Sequence, residues 1–361
     1  MHLPTRVFNT LAQILPGLLV AFLLMGCGQP LHRQQAYVFG TLVEVTVYGE
    51  DAARARQATD RVLHVFDALH RDLHAWQPSD LERLNARLAE ARPGAPVTVE
   101  VSPELAGMLA DAARLSARGD GLFNPAVGNL VRLWGFHADS FEARLPDPAA
   151  VARLVAARPA MTDLVIAGRR VTGRNPAVRL DLGGYAKGYA LDRAGATLKA
   201  LGVQNALVNI GGNILALGDK GGSPWRVGIQ HPRQAGALAM LELGDGEAIG
   251  TSGDYQRFFE FGGRRYCHLI DPRTGQPARG SQAVTVLTRG PGAGTLSDVA
   301  SKPLFIAGPD AWQPLARRLG VAEVLVVAAD GRLSATRTLA GRLHWDVGAQ
   351  KGPPPDLVIT D

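Results

Sequence analysis

The stretch Asp181-Leu-Gly-Gly-Tyr-Ala-Lys-Gly188 places an acid, two adjacent glycines, a lysine and a third glycine within eight residues. An apolar run, Val178 to Leu182, leads into it, and helical spacing from Tyr189 to Leu201 leads out. Glycines let a backbone bend sharply or come close to a ligand. A helix opening behind them aims free N–H groups at an anion, and Lys187 adds positive charge there. This is the local chemistry of a phosphate or pyrophosphate site. It matches neither general phosphate fingerprint. Gly183 and Gly184 are adjacent, which breaks Gly-x-Gly-x-x-Gly, and Lys187 precedes its glycine with no Ser or Thr after it, which breaks the P-loop.

Four further clusters can carry chemistry: Gly121 to Gly128 followed by Leu133-Trp-Gly-Phe136, Asn209-Ile-Gly-Gly-Asn213, Thr251-Ser-Gly-Asp-Tyr255, and His268 to Gly275. Taken singly, each reads more readily as a turn, or as core in the case of Leu133–Phe136. Together they are coherent. Backbone amides at Gly211-Gly212 and Ser252-Gly253 can bind phosphates or ring carbonyls, and Trp76, Phe123 and Trp134 can stack on a heterocycle. His268 is a candidate general base, three residues before Asp271 in a turn-rich loop. Asp298, read as opening a helix, can ligate a hard cation or simply complement the helix dipole.

The elements that must position these groups are mixed. Val43 to Tyr48 alternates as a half-buried strand, and Ala206–Ile210, Ala283–Thr288 and Glu323–Val327 read as further strands. Helical spacing covers Asp51–His74, Ser102–Arg118, Asp147–Ala157, Ser297–Ile306 and Ala311–Leu319. Strands and helices do not alternate strictly, so we expect an α+β fold with mostly antiparallel sheets.

Composition bounds the class. The 361 residues are 46% hydrophobic, ample for a large core, and carry a net charge of +5 from 38 basic and 33 acidic residues. The arginines are scattered, which argues against nucleic-acid binding. Arg6 and the apolar run Leu11–Met25, broken by Pro16 and Gly17, form a targeting segment shorter than a membrane span. It ends Leu24-Met-Gly-Cys27, which resembles a bacterial lipobox with Cys27 as the lipidated residue. Residues 1–26 are therefore expected to be a signal peptide and 27–35 a tether, with 36–340 the main domain and 341–361 a C-terminal tail. The expected location is periplasmic and lipid-anchored, with inner or outer membrane left open. Cys267 alone remains, so no disulfide framework is expected within the exported chain.

In order and spacing, these motifs resemble the ApbE family of FAD:protein FMN transferases. The likeness runs from about Ala36 to Leu339 through Phe39-Gly-Thr41, Trp76 with Leu84-Asn85, Gly121–Phe136, Asp181–Ala194, Asn209–Asn213, Thr251–Tyr255, His268–Pro277 and Asp298–Gly308. The resemblance implies transfer of FMN from FAD to a Thr or Ser hydroxyl of an acceptor protein, with Mg2+ as cofactor and AMP released. The implied acceptor is a subunit of a respiratory redox complex, of Rnf, sodium-pumping quinone reductase or nitrous-oxide system type. It implies that Phe39, Trp76, Leu122, Phe123 and Asn124 line the flavin or adenine ends, and that Asp181, Lys187, Ser252, Gly253 and Ile270 face the FAD. It implies His268 as the base and a metal held near Gly184, Asp298, Ser301 and residue 302. The family pattern favours Thr at that last position, whereas this chain has Lys302. A protonated lysine cannot ligate Mg2+, so either Ser301 and water complete the shell or Lys302 itself contacts phosphate. Two other readings use the same residues: an FAD pyrophosphatase with water as acceptor, and a non-catalytic FAD-binding maturation lipoprotein.

Overall fold

The computed structural model describes residues 30–361 apart from 93, 139, 141, 346 and 348–351. The targeting segment and Cys27 lie outside the described residues. A nine-stranded sheet forms the frame, in the order Leu31–Val38, Thr41–Tyr48, Ala206–Ile210, Asn213–Leu217, Glu247–Gly253, Ser281–Arg289, Glu323–Ala328, Leu333–Thr336 and Val358–Thr360. Every pairing is antiparallel except the last. The fold is α+β.

The interior strand Ser281–Arg289 is buried along almost its whole length because both its faces are covered. Ala283 and Leu287 point into one apolar cluster, which includes the small sheet of Trp225–Gln230, Ala237–Leu243 and Leu343–His344. Val284 and Val286 point the other way, against Ala300, Leu304 and Phe305 of the helix Ala293–Ala307. That helix also packs against the strand Glu247–Gly253 and the helix Ala186–Ala200. These two helices lie where their N-terminal halves meet beneath the glycine motif, and they are called below the Asp298 helix and the glycine-loop helix.

Local rules account for most other elements. Asp51 caps Ala52–Asp72 by accepting from the amides of Ala53 and Arg54 at 3.0 and 3.1 Å. Ser102 caps Pro103–Arg118 with proline in the first turn. Two boundaries move. The strand Leu31–Val38 occupies most of the stretch read as a tether, since its backbone pairs residue by residue with Thr41–Tyr48. The stretch read as a tail supplies a strand to each sheet, Leu343–His344 and Val358–Thr360, and buries Trp345. Neither short strand shows a period long enough to be seen in sequence. Among the described residues no helix is long and apolar enough to cross a membrane.

Candidate active site

A cavity of about 620 Å³ opens where the first hairpin, the glycine loop and the strand Glu247–Gly253 converge. That volume is in the range of small-molecule sites. Phe39, at the hairpin tip, and Trp76 line one end; Leu122, Phe123 and Asn124 line a neighbouring wall. Asp181, Gly184 and Lys187 form the floor, and Ser252, His268 and Ile270 also line the cavity. Lys302 enters from the Asp298 helix. Gly253 does not line the cavity; it ends its strand beneath the Tyr255 ring.

The glycine loop is held by its own acid. The Gly183 amide donates to Asp181 Oδ1 at 2.8 Å, and the Asp181 amide donates to Pro125 O. Burial pushes the Asp181 carboxyl above its usual range, against the Gly183 N–H and the Trp76 side chain, which favour its charged form. The following helix starts at Ala186, three residues before the apolar spacing begins, because Lys187 and Gly188 belong to its first turn. Its anion is internal: the Gly188 amide donates to Asp298 Oδ2 at 2.8 Å. None of Gly183, Gly184 and Gly188 adopts a left-handed backbone. They are glycines for closeness. A Cβ on Gly188 would lie 2.4 Å from Gly294 O and 2.7 Å from Asp298 Cβ. Gly188→Ala is therefore expected to force the two helices apart and lower stability by about 1–3 kcal/mol, read as a lower urea midpoint. An unchanged midpoint would show that the contact yields freely.

The Asp298 helix begins at Ala293, so Asp298 sits inside it rather than at its opening. The sequence hides the start because the cap comes from the other helix. Asp192 accepts from the amides of Gly294 and Thr295 at 2.8 Å each, and from Thr295 Oγ1 at 2.6 Å. Asp298 is almost fully buried and both its oxygens are engaged: Oδ2 by Gly188, Oδ1 by Lys302 Nζ at 2.6 Å. Lys302 Nζ also donates to Asp298 O at 2.7 Å. Ser301 Oγ donates to the same carbonyl at 2.8 Å and lies 2.7 Å from Ser252 Oγ. The lysine arm crosses Gly184, where a Cβ would stand 3.0 Å from Cε and 3.1 Å from Cδ.

These four residues were expected to hold a divalent cation. The structure brings them together around an ammonium group instead. Lys302 has no lone pair to offer, and it takes the oxygens that a metal would need. Among the described residues no group of three or more His, Cys, Asp or Glu side chains is placed to hold a metal. The donor set does not fit a divalent cation.

His268 is oriented by a carbonyl. Its Nδ1 lies 3.2 Å from Arg257 O, which only accepts, so Nδ1 carries the proton and Nε2 keeps its lone pair. Burial, together with the charges of Arg257 and Lys187, lowers its pKa to about 3. Asp271, three residues on, holds Arg273 through several hydrogen bonds, the shortest 2.7 Å. Burial also lowers the pKa of Lys187; Asp298 opposes that shift, and Lys302 and Arg257 add to it.

Arg257 is the site residue that sequence reasoning missed. It lines the cavity, and its Nη2 is fixed on Phe136 O and Ala138 O at 2.9 and 2.8 Å. Nothing in the sequence sets it apart from the other arginines. One expected contact, Trp134, is structural and does not line the cavity. Trp134 is buried, donates to Gly275 O at 2.8 Å and stacks on Phe259 and Tyr266. Asn124 spends its amide on the loop, donating to Pro159 O and accepting from Ala126 N. Trp76 remains at the cavity with Arg179 over its ring at 4.5 Å.

Residues 39–326 match the model of the ApbE family. The chain belongs to this family. Relatives named FAD:protein FMN transferase include one from Rhodobacter capsulatus, 45% identical over 90% of this chain. The chain spans only 60% of that relative's length. One from Salmonella typhimurium is 32% identical over 86% of this chain and 91% of its own. Among solved structures, an ApbE protein from Thermotoga maritima superposes with a TM-score of 0.77 at 29% identity, covering 87% of this chain and 99% of its own. The Pseudomonas stutzeri flavinyl transferase ApbE superposes at 0.73 with 31% identity, covering 89% of this chain and 98% of its own. The ApbE fold thus accounts for the frame around the cavity.

Proposed function

We propose that this ApbE-family chain transfers FMN from FAD to a hydroxyl of an acceptor protein. The observation that carries the reading is the neutral His268, with Nε2 unprotonated, in one cavity with Lys187, Arg257 and Lys302. The aromatic residues Phe39, Trp76 and Phe123 offer faces to the ring systems, and the cationic floor takes the pyrophosphate. The acceptor oxygen attacks the phosphorus of the FMN half while His268 Nε2 takes the hydroxyl proton. The bond from that phosphorus to the bridging oxygen breaks, and AMP leaves with the proton restored to it. One P–O bond forms and one is lost. Such a reaction asks the protein mainly for alignment and charge neutralisation.

The acceptor is a Thr or Ser side chain of a respiratory redox subunit, of the Rnf, sodium-pumping quinone reductase or nitrous-oxide type. The enzyme works in the periplasm, lipid-anchored through Cys27. These assignments rest on the likeness of the motifs and of the leader. The magnesium ion implied by that likeness finds no fitting donor set here, and no step is routed through it.

The test mixes the protein with FAD and such an acceptor domain. Flavin fluorescence that stays on the acceptor through denaturing electrophoresis, with AMP released, is the expected result. AMP without labelled acceptor would mean hydrolysis, and bound FAD without AMP a flavin-holding protein.

A further inference from the structure

The ammonium of Lys302 is held by two oxygens of Asp298, and its arm lies over Gly184. Two of its three N–H donors are spent on Asp298, one on Oδ1 and one on the main-chain carbonyl. The third is left for the cavity that Lys302 lines. The arm reaches this position over Gly184, at a spot where any Cβ would press on it. The carboxylate beneath it is 2% exposed and its other oxygen is tied to the Gly188 amide, so the pair cannot swing out together. Lys187 and Arg257 approach the same space, which makes the floor cationic without any ion.

Building on the flavin-transfer reading, we propose that Lys302 is a tethered cation that does for the pyrophosphate what a bound metal would do, so that FAD binding and FMN transfer proceed without a divalent cation. The ammonium donates its free N–H to a phosphate oxygen and balances the charge that develops on the departing AMP. Asp298 acts through Lys302 as a positioning residue.

The test measures FAD binding by quenching of flavin fluorescence, and AMP release with acceptor present, in EDTA and in millimolar Mg2+. Wild type is expected to bind FAD and release AMP equally in both. Lys302→Thr supplies a hydroxyl in place of the ammonium. It is expected to bind FAD roughly 10–100-fold more weakly in EDTA, the worth of a charge-assisted hydrogen bond, and to regain affinity with Mg2+. Lys302→Met, which keeps the length and offers no ligand, is expected to bind weakly in both. Wild-type binding or AMP release that needs Mg2+ would overturn the proposal and leave the transferase reading standing. So would a Lys302→Met variant that melts normally and binds FAD like wild type. Failure of the wild type to bind FAD in either buffer would overturn the transferase reading itself, and this inference with it. If both variants fail to fold, the wild-type comparison decides alone.

Discussion

Replacing His268 with alanine is expected to slow FMN transfer by roughly 10²–10⁴-fold while leaving FAD binding little changed. The ring contributes one lone pair, on Nε2, and its other nitrogen is committed to the Arg257 carbonyl. In the proposed reading the aromatic and cationic contacts to FAD come from other residues that line the cavity, so affinity has little reason to fall. Single-turnover labelling of the acceptor and fluorescence titration with FAD separate the two effects. Parallel loss of both would make His268 a structural residue. The pH dependence follows from the same geometry. Burial and the neighbouring cations hold His268 neutral down to about 3. The acid limb of kcat/KM, which reports the free enzyme, is expected to lie below the ordinary histidine range. Bound pyrophosphate adds negative charge beside the ring, so the limb of kcat is expected at higher pH. Stability follows the same sign. The fold favours the neutral imidazole, so this contribution is complete above the unfolded value near 6.5. It is lost as pH falls toward 3, where the unfolded chain takes up the proton first.

The second large effect is expected at Asp298. Alanine there removes the carboxylate that, among the described residues, is bonded to Lys302 and accepts from the Gly188 amide, leaving a nearly buried ammonium without its counter-charge. Breaking such a pair from one side costs about 3–5 kcal/mol. Urea denaturation is expected to show a loss of that order, with FMN transfer falling in parallel as Lys302 loses its position. Pairing Asp298→Ala with Lys302→Met is expected to restore much of the stability and none of the activity, because the stranded charge is gone while the cation is still missing. A double variant no more stable than the single one would show that the loss comes from the cavity and not from the unpaired charge.

Sequence order went far in locating the cavity walls, because each motif is local. Asp181 to Lys187 and His268 to Ile270 are placed by turns that follow a strand or precede a helix, and Ser252 by the end of its strand, and such boundaries leave marks in residue type. What escaped were pairings between elements distant in sequence. Asp192 caps a helix 102 residues away, which is why that helix seemed to start late. The glycines look alike in sequence whether they serve a turn or a close approach, and only the neighbouring helix tells which. Trp134 and Arg257 carry the same ambiguity in opposite directions. An aromatic residue in a glycine-rich cluster went to the core, while an unremarked arginine went to the site. Leu343–His344 and Val358–Thr360 are strands only because a partner strand is there to bond them.

The first hairpin closes through Phe39 and Gly40, with backbone φ of 55° and 67°, between the paired residues Val38 and Thr41. Two left-handed residues in succession suit asparagine and glycine, and phenylalanine is a poor choice for the first of them. Its ring settles against Phe66 and His70, 6.0 and 5.7 Å away, and lines the cavity. The hairpin therefore trades conformational ease for an aromatic face on the cavity. Selection for thermal robustness alone would place Asn at this turn. Phe39 thus marks a point at which the chain's interest in its ligand and its interest in its own folding pull in different directions.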